Sequence, residues 1–223
     1  MGYYGSPDVA TLIARVQETL TRESVDVSGY DAAMVTNAMN RAARRICDQI
    51  VRLNRRELVY TKTYTVAAAD AAIDLPDGSE ASYPRVRRII DIVRTDRGTP
   101  EPLQIIGGNE AEEHAGRYDL IYENLTLRWA NYGGAPEAMT VVMRYIAALP
   151  EATTDTLTAT PFSMLSPEWI DCIVELAAAE LLPIAAAALK GALEARVAGR
   201  IGELTPIEVN KIRTGPKHIR RDR

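Results

Sequence analysis

The chain has 223 residues, 47% of them hydrophobic, and a formal net charge of −4. That is enough apolar content to bury about 70% of the unfolded surface, in one domain or in one domain with an embedded subdomain. Two cysteines, Cys47 and Cys172, stand far apart in apolar helical surroundings and read as small buried hydrophobes of a reduced compartment. The first residues carry no basic stretch followed by an apolar one, so no secretion signal is expected. The nearest approach to a membrane span, Ile173 to Leu189, is shorter than the roughly 20 residues required and contains Glu175, Glu180 and Pro183, so no membrane partner is expected.

Ser6-Pro7-Asp8 signals a helix start, with Ser6 as cap, Pro7 where no donor is needed and Asp8 at the positive end of the dipole. Val9, Leu12, Ile13, Val16 and Leu20 follow at helical spacing, which predicts a first helix over about Pro7 to Leu20. Ser28-Gly29-Tyr30-Asp31 resembles a capping box and opens a second, longer helix running to about Arg56. That helix carries two stripes. Val35, Met39, Ala42, Ile46, Ile50 and Leu53 form a narrow apolar one, while Arg41, Arg45, Arg52 and Arg56 form a separate basic one, with Arg44 and Arg55 beside it.

From Tyr60 the period becomes two. Tyr60, Lys62, Tyr64 and Val66 alternate with threonines as in a half-buried strand, and Ile73 and Leu75 form a short partner ending at Pro76, with Asp77-Gly78 as the turn. Val86 to Val93 and Leu103 to Ile106 are further β-branched runs. Tyr118, Leu120 and Tyr122 lead through Glu123-Asn124 to Leu125, Leu127 and Trp129, a predicted hairpin. Gly133-Gly134 turns the chain, and Met139, Val141, Met143 and Tyr145 form the last strand before Pro150. The middle therefore reads as an antiparallel β subdomain inserted into helices.

Ser166-Pro167-Glu168 repeats the start signal, and Ile170, Ile173, Val174, Ala177 and Leu181 form an apolar face. Pro183 should kink or divide this helix. Beyond it Leu189, Leu193, Val197 and Ile201 recur every fourth residue, a stripe expected to pack against helix two. The final segment has Pro206, Gly215 and Pro216 among cations and little apolar content, so no core of its own is expected. The expected division is 1–59 as N-terminal helices of an antiparallel bundle, 60–150 as inserted β subdomain, 151–204 as linker and C-terminal helices, and 205–223 as a basic arm.

No phosphate-binding glycine fingerprint, metal-ligand spacing or nucleophile–base set stands in the sequence, so neither enzymatic activity nor a cofactor is expected. Glu110, Glu112, Glu113 and His114 form a cluster that reads as a solvated loop, because no second histidine lies nearby. The arginine stripe has two readings: contact with nucleic-acid phosphates, or pairing with acidic residues. The basic tail likewise reads as a nucleic-acid arm, a protein-docking arm or a solvated terminus; Ile207, Val209, Ile212 and Ile219 among its cations favour docking. Trp129, Trp169, Tyr122 and Tyr145 are read as core residues.

The order of these parts resembles the head-to-tail adaptor (connector) proteins of tailed bacteriophages, over roughly Asp8 to Leu204. The resemblance rests on the run from Asp31 to Ile46 with Asn37 and Asn40, on Ile73-Asp74-Leu75-Pro76, and on Leu125 to Trp129 followed by Met143 to Tyr145 and Leu149-Pro150. It also rests on Ser166 to Ile170 opening an Ala-rich helix. The resemblance implies a non-enzymatic virion protein forming a ring of about twelve copies beneath the portal, with DNA passing non-specifically through its lumen and a neck or tail protein below. Ile207, Val209, Lys211, Ile212, Arg213, Lys217, Arg220 and Arg221 would be the portal-docking arm, and Arg41, Arg45, Arg52 and Arg56 a lumenal or intersubunit face. The alternative is a nucleic-acid-binding accessory protein using that arginine face and the tail.

Overall fold

The computed structural model describes residues 6–53, 56–80, 82–106, 119–123, 125–130, 135 and 137–204. Helix α1 spans Val9–Arg22 and buries Val9, Leu12, Ile13, Val16 and Leu20. Its cap is Asp8, not Ser6: the Thr11 N–H donates to Asp8 Oδ1 at 2.8 Å, which places the start two residues later than expected. The Val9 and Ala10 N–H groups donate to the carbonyls of Ala159 and Leu157, at 2.9 and 3.0 Å, so a segment remote in sequence satisfies donors that the helix cannot. Helix α2 spans Ala32–Arg52 and is capped by Asp31, whose Oδ1 accepts from the Met34 N–H at 2.7 Å. Ser28 is instead drawn into a turn with Asp26, so the capping box does not form.

Helix α3, Pro167–Leu181, is buried nearly all round, from Trp169 and Ile170 through the Ala177-Ala178-Ala179 run. A helix buried on nearly every side belongs at the centre of a bundle, and α3 packs against α1, α2 and a further helix, α4, at Ala187–Leu204. Pro183 divides the two. Leu182 before it is extended (φ −67°, ψ 136°), as the proline ring demands, and a 3₁₀ turn at Ile184–Ala186 reverses the chain. The stripe Leu189, Leu193, Val197 and Ile201 packs mainly on α3, not on helix two as expected, because the short elbow returns α4 alongside the helix it has just left.

Between α2 and α3 the described residues form eight strands in two four-stranded sheets: β1 Val59–Val66, β2 Ala72–Asp74, β3 Val86–Arg94, β4 Glu101–Pro102, β5 Ile105–Ile106, β6 Leu120–Glu123, β7 Thr126–Trp129 and β8 Met139–Ala147. One sheet has the order β1-β8-β3-β4, the other β2-β7-β6-β5, and neither closes into a barrel. The pairings are antiparallel except the short β5–β6 contact. β2 pairs with β7, so Ile73 and Leu75 are not the partner of the first strand; that place belongs to β8, matched from Val59↔Ile146 to Val66↔Met139. Leu125, expected within a strand, has φ 64° and belongs to the β6–β7 turn. Met139, Val141, Met143, Tyr145 and Ala147 of β8 face Ile73, Leu120, Leu127 and Trp129 in a core distinct from that of the helices. The outcome is an α+β fold: an open antiparallel β subdomain flanked by helices, with a long C-terminal helix.

Two side chains whose structural role no local pattern reveals hold this arrangement. Asn40, mid-helix in α2, donates from Nδ2 to the Ala152 carbonyl at 2.9 Å and accepts from the Ala152 N–H at 2.8 Å, so its amide serves as a surrogate strand for the linker. Arg94 at the end of β3 is 2% exposed and forms a fork on both oxygens of Asp96, at 2.7 and 2.8 Å, with a third bond to Glu137 at 2.8 Å. The Arg94 fork lowers the Asp96 pKa to about 2. A carboxylate with a lower pKa folded than unfolded stabilises the fold above its ordinary value and ceases to do so as pH falls through the folded value. Thermal melts should therefore show a loss of stability between about pH 4 and pH 2, and Asp96→Asn should flatten that part of the profile. Arg94→Met should cost about 3 kcal/mol, because two carboxylates lose their buried partner; an unchanged melting temperature would deny Arg94 this role.

Candidate assembly surfaces

The basic stripe of α2 is split by what faces it. Arg41 Nε donates to Glu180 of α3 at 2.7 Å, and Arg45 Nη1 lies 3.5 Å from Glu180 and 3.6 Å from Glu194 of α4. Glu180 is thus a shared counter-ion, its side chain only 13% exposed, and both acids come from helices distant in sequence. Arg44 pairs with Glu151 of the linker. The helix ends at Arg52, not at Arg56 as expected; Arg52 in its last turn and Arg56 beyond it are exposed, and among the described residues no carboxylate pairs with either. The structure therefore brings Arg41 and Arg45 into an internal ion network and leaves Arg52 and Arg56 outside it. The tail residues Ile207, Val209, Lys211, Ile212, Arg213, Lys217, Arg220 and Arg221 lie outside the described residues, as does the cluster Glu110, Glu112, Glu113 and His114.

Helix α4 is attached by a narrow seam. Leu193 and Val197 are buried, while around them Arg196 reaches Glu23 at 3.3 Å and Arg200 reaches Glu175 at 3.0 Å and Asp171 at 4.0 Å. Burial of Glu175 raises its pKa, opposed by Arg200 and Arg196. The outward side of α4 carries Ala188, Ala192, Ala195, Gly199 and Gly202, all exposed. At the elbow Ile184 is 96% exposed. Tyr122, expected in the core, is 52% exposed on β6, whereas Trp129, Trp169 and Tyr145 are buried as expected.

A wide cleft of about 1260 Å³ runs between α2 and the β subdomain, with Cys47, Tyr60, Val86, Leu149 and Met164 among its walls. Two irregularities in β3 shape it. The register against β8 slips at Arg87 and again at Ile90, and the first bulge aims Arg87 at Asp48 of α2, tying sheet to helix. Burial pushes the Cys47 thiol up to about 11, so it stays protonated and is no nucleophile at neutral pH. Burial raises Cys172 to about 11 in the same way. Among the described residues no group of His, Cys, Asp and Glu is placed to hold a metal ion, and no helix is long and apolar enough to cross a membrane.

The pairing of Arg41 and Arg45 has a measurable consequence for DNA. Glu180→Gln with Glu194→Gln should free both guanidinium groups and steepen the salt dependence of non-specific duplex binding by up to about two in the slope of log K against log salt. Fluorescence anisotropy across a salt series reads this directly. An unchanged slope would mean that the two arginines do not reach phosphates even when unpaired.

A search of curated proteins returns no match to this chain. The model of the family described as SU10 adaptor protein matches residues 7–220, from the start of α1 through α4 and across most of the basic segment. This family is one of structural, non-catalytic bacteriophage adaptors. Because the match spans nearly the whole length, the chain belongs to the SU10 adaptor protein family.

Proposed function

We propose that the protein is a head-to-tail adaptor of the virion neck: about twelve copies close into a ring against the portal, extend the DNA channel and present a platform to the next neck or tail protein. Membership of the SU10 adaptor family over residues 7–220 carries this reading. The architecture supports it. A bundle organised around α3 makes a stiff wall, the β subdomain offers a second binding face, and α4 leads into a segment with six cations beyond Leu204. In the assembled neck Ile207, Val209, Lys211, Ile212, Arg213, Lys217, Arg220 and Arg221 are the portal-docking arm, and twelve weak arms acting together give firm attachment. Arg52 and Arg56 supply cations for the lumen or for the neighbouring subunit, whereas Arg41 and Arg45 are occupied by Glu180 and Glu194. That occupation also weighs against the nucleic-acid-binding reading.

Mixing the protein with its cognate portal and counting subunits by electron microscopy tests the proposal; about twelve per portal are expected, and a stable dimer indifferent to the portal would sink it. A chain ending at Leu204 should keep its helicity and melt within about 4 °C of the full chain, because it loses little apolar content, yet fail to attach to the portal. Replacing Lys211, Arg213, Lys217, Arg220 and Arg221 by Gln separates charge from shape. Attachment should then be lost, and attachment of the unaltered protein should weaken with salt; normal attachment by the truncated chain would remove the arm from the mechanism.

A further inference from the structure

Strand β1 is eight residues long and, among the described residues, lies at the edge of its sheet, with β8 on one side and no strand on the other. Among the described residues, no backbone group of Tyr60 to Thr65 bonds to anything but β8. A long edge with half its N–H and C=O groups unpaired is a template for another strand, and folded proteins shield such edges. The segment that follows β1 and borders it is acidic. From Ala67 to Pro84 there are Asp70, Asp74, Asp77 and Glu80, with no Lys or Arg. All four are exposed; Glu80 pairs with Lys62 of β1 at 3.0 Å, and among the described residues no cation pairs with the other three. β2, the edge of the second sheet, lies within this acidic stretch, so both sheets end on the same negative border.

The chain itself carries the complement. Residues 205–223 hold six cations, Lys211, Arg213, Lys217, Arg220, Arg221 and Arg223, against Glu208 and Asp222. Their first part reads with a period of two: Ile207, Val209 and Lys211 fall on one side, and Glu208, Asn210 and Ile212 on the other, as a half-covered strand requires. The point of departure suits the site. Arg200 meets Asp171 in the first turns of α3, so α4 ends where α3 begins. Ser163 and Met164, just before α3, line the same cleft as Tyr60, so β1 begins near that same end of the bundle. Nineteen residues reach up to roughly 60 Å when extended, more than the width of a domain of this size.

We infer that in the undocked subunit the segment Ile207–Arg213 of the same chain adds to the open edge of β1, its cations and those beyond it lying along Asp70, Asp74 and Asp77. This rests on the docking-arm reading and adds its regulation: the arm is stored on its own subunit, shields an edge that invites self-association, and leaves it when the portal competes for the same side chains. The contact is weak enough to be exchanged because it is solvent-exposed and screened by salt.

Hydrogen exchange of the full-length protein in dilute, low-salt solution tests the inference. The β1 amides facing away from β8 should exchange at least about tenfold more slowly than in the variant Asp70→Asn, Asp74→Asn, Asp77→Asn, and than in a second variant with Lys211, Arg213 and Lys217 changed to Gln. Protection should be independent of protein concentration and should vanish on adding the cognate portal ring. Circular dichroism of both variants verifies that the fold is retained; because they lie at opposite ends of the chain, a folding defect in one leaves the other to decide. Equal exchange in all three proteins would overturn the inference, and protection that grows with concentration would assign the edge to a second copy and overturn it as well. An arm that protects β1 but ignores the portal would sink only the docking reading, whereas an arm that binds the portal while β1 exchanges freely beforehand would sink only this one.

Discussion

Everything in this fold is referred to α3, because a helix whose residues from Trp169 to Ala179 are nearly all buried cannot be stable until other elements surround it. The Ala177-Ala178-Ala179 run is buried toward one end of the helix, and the larger Trp169, Ile170 and Ile173 are buried toward the other. Three helices that are only one-sided in their apolar character, α1, α2 and α4, supply the cover. The linker supplies the rest: Ala152, Phe162 and Leu165 are buried in the same core, and Asn40 holds the linker by its backbone. The helical core is therefore assembled from both ends of the chain, and the β subdomain is a loop-out between two of its helices.

The charges outside that core divide into those that position helices and those left for partners. Glu180 and Glu194 gather Arg41 and Arg45, while Glu23, Asp171 and Glu175 gather Arg196 and Arg200. Most are partly exposed and each contributes little on its own, so their effect is to set the register of α4 on the bundle. Glu175 differs, since it is buried and its charged form is disfavoured without Arg200. Cations paired inside the subunit in this way are not available to a phosphate backbone or to a neighbouring subunit.

How much of this was legible beforehand follows from the range of each interaction. Local signals read well. The apolar spacing of α1, the basic and apolar stripes of α2, the alternation in β1 and β8, and the break at Pro183 depend on residues within a few positions of one another. Even there the caps slipped, because Asp8 and Asp31 outcompeted Ser6 and Ser28 for the first free N–H groups, a difference set by which side chain reaches them. Long-range pairing was not legible. Nothing in the local pattern says that β1 joins β8 across the whole subdomain instead of β2, or that Tyr122 points outward on its short strand.

The sequence by itself determined the class of the fold, the order of its parts and the absence of a recognisable catalytic set, since these are properties of composition and period. The order of motifs also carried the resemblance to phage adaptors, and the match to the SU10 adaptor family extends it over nearly the full length. Only the tertiary structure decided which cations are free. Arg41, Arg45, Arg52 and Arg56 share one spacing in the sequence, yet Arg41 and Arg45 face Glu180 and Glu194 from other helices, while Arg52 is the last residue of α2 and Arg56 lies beyond it, and among the described residues neither of these meets a carboxylate. In the same way only the folded chain shows Arg94 as a buried anchor and β1 as an open edge beside an acidic border. Periodicity along a chain reports which face of an element is apolar, whereas the identity of the neighbour across that face is fixed by packing of segments far apart in sequence.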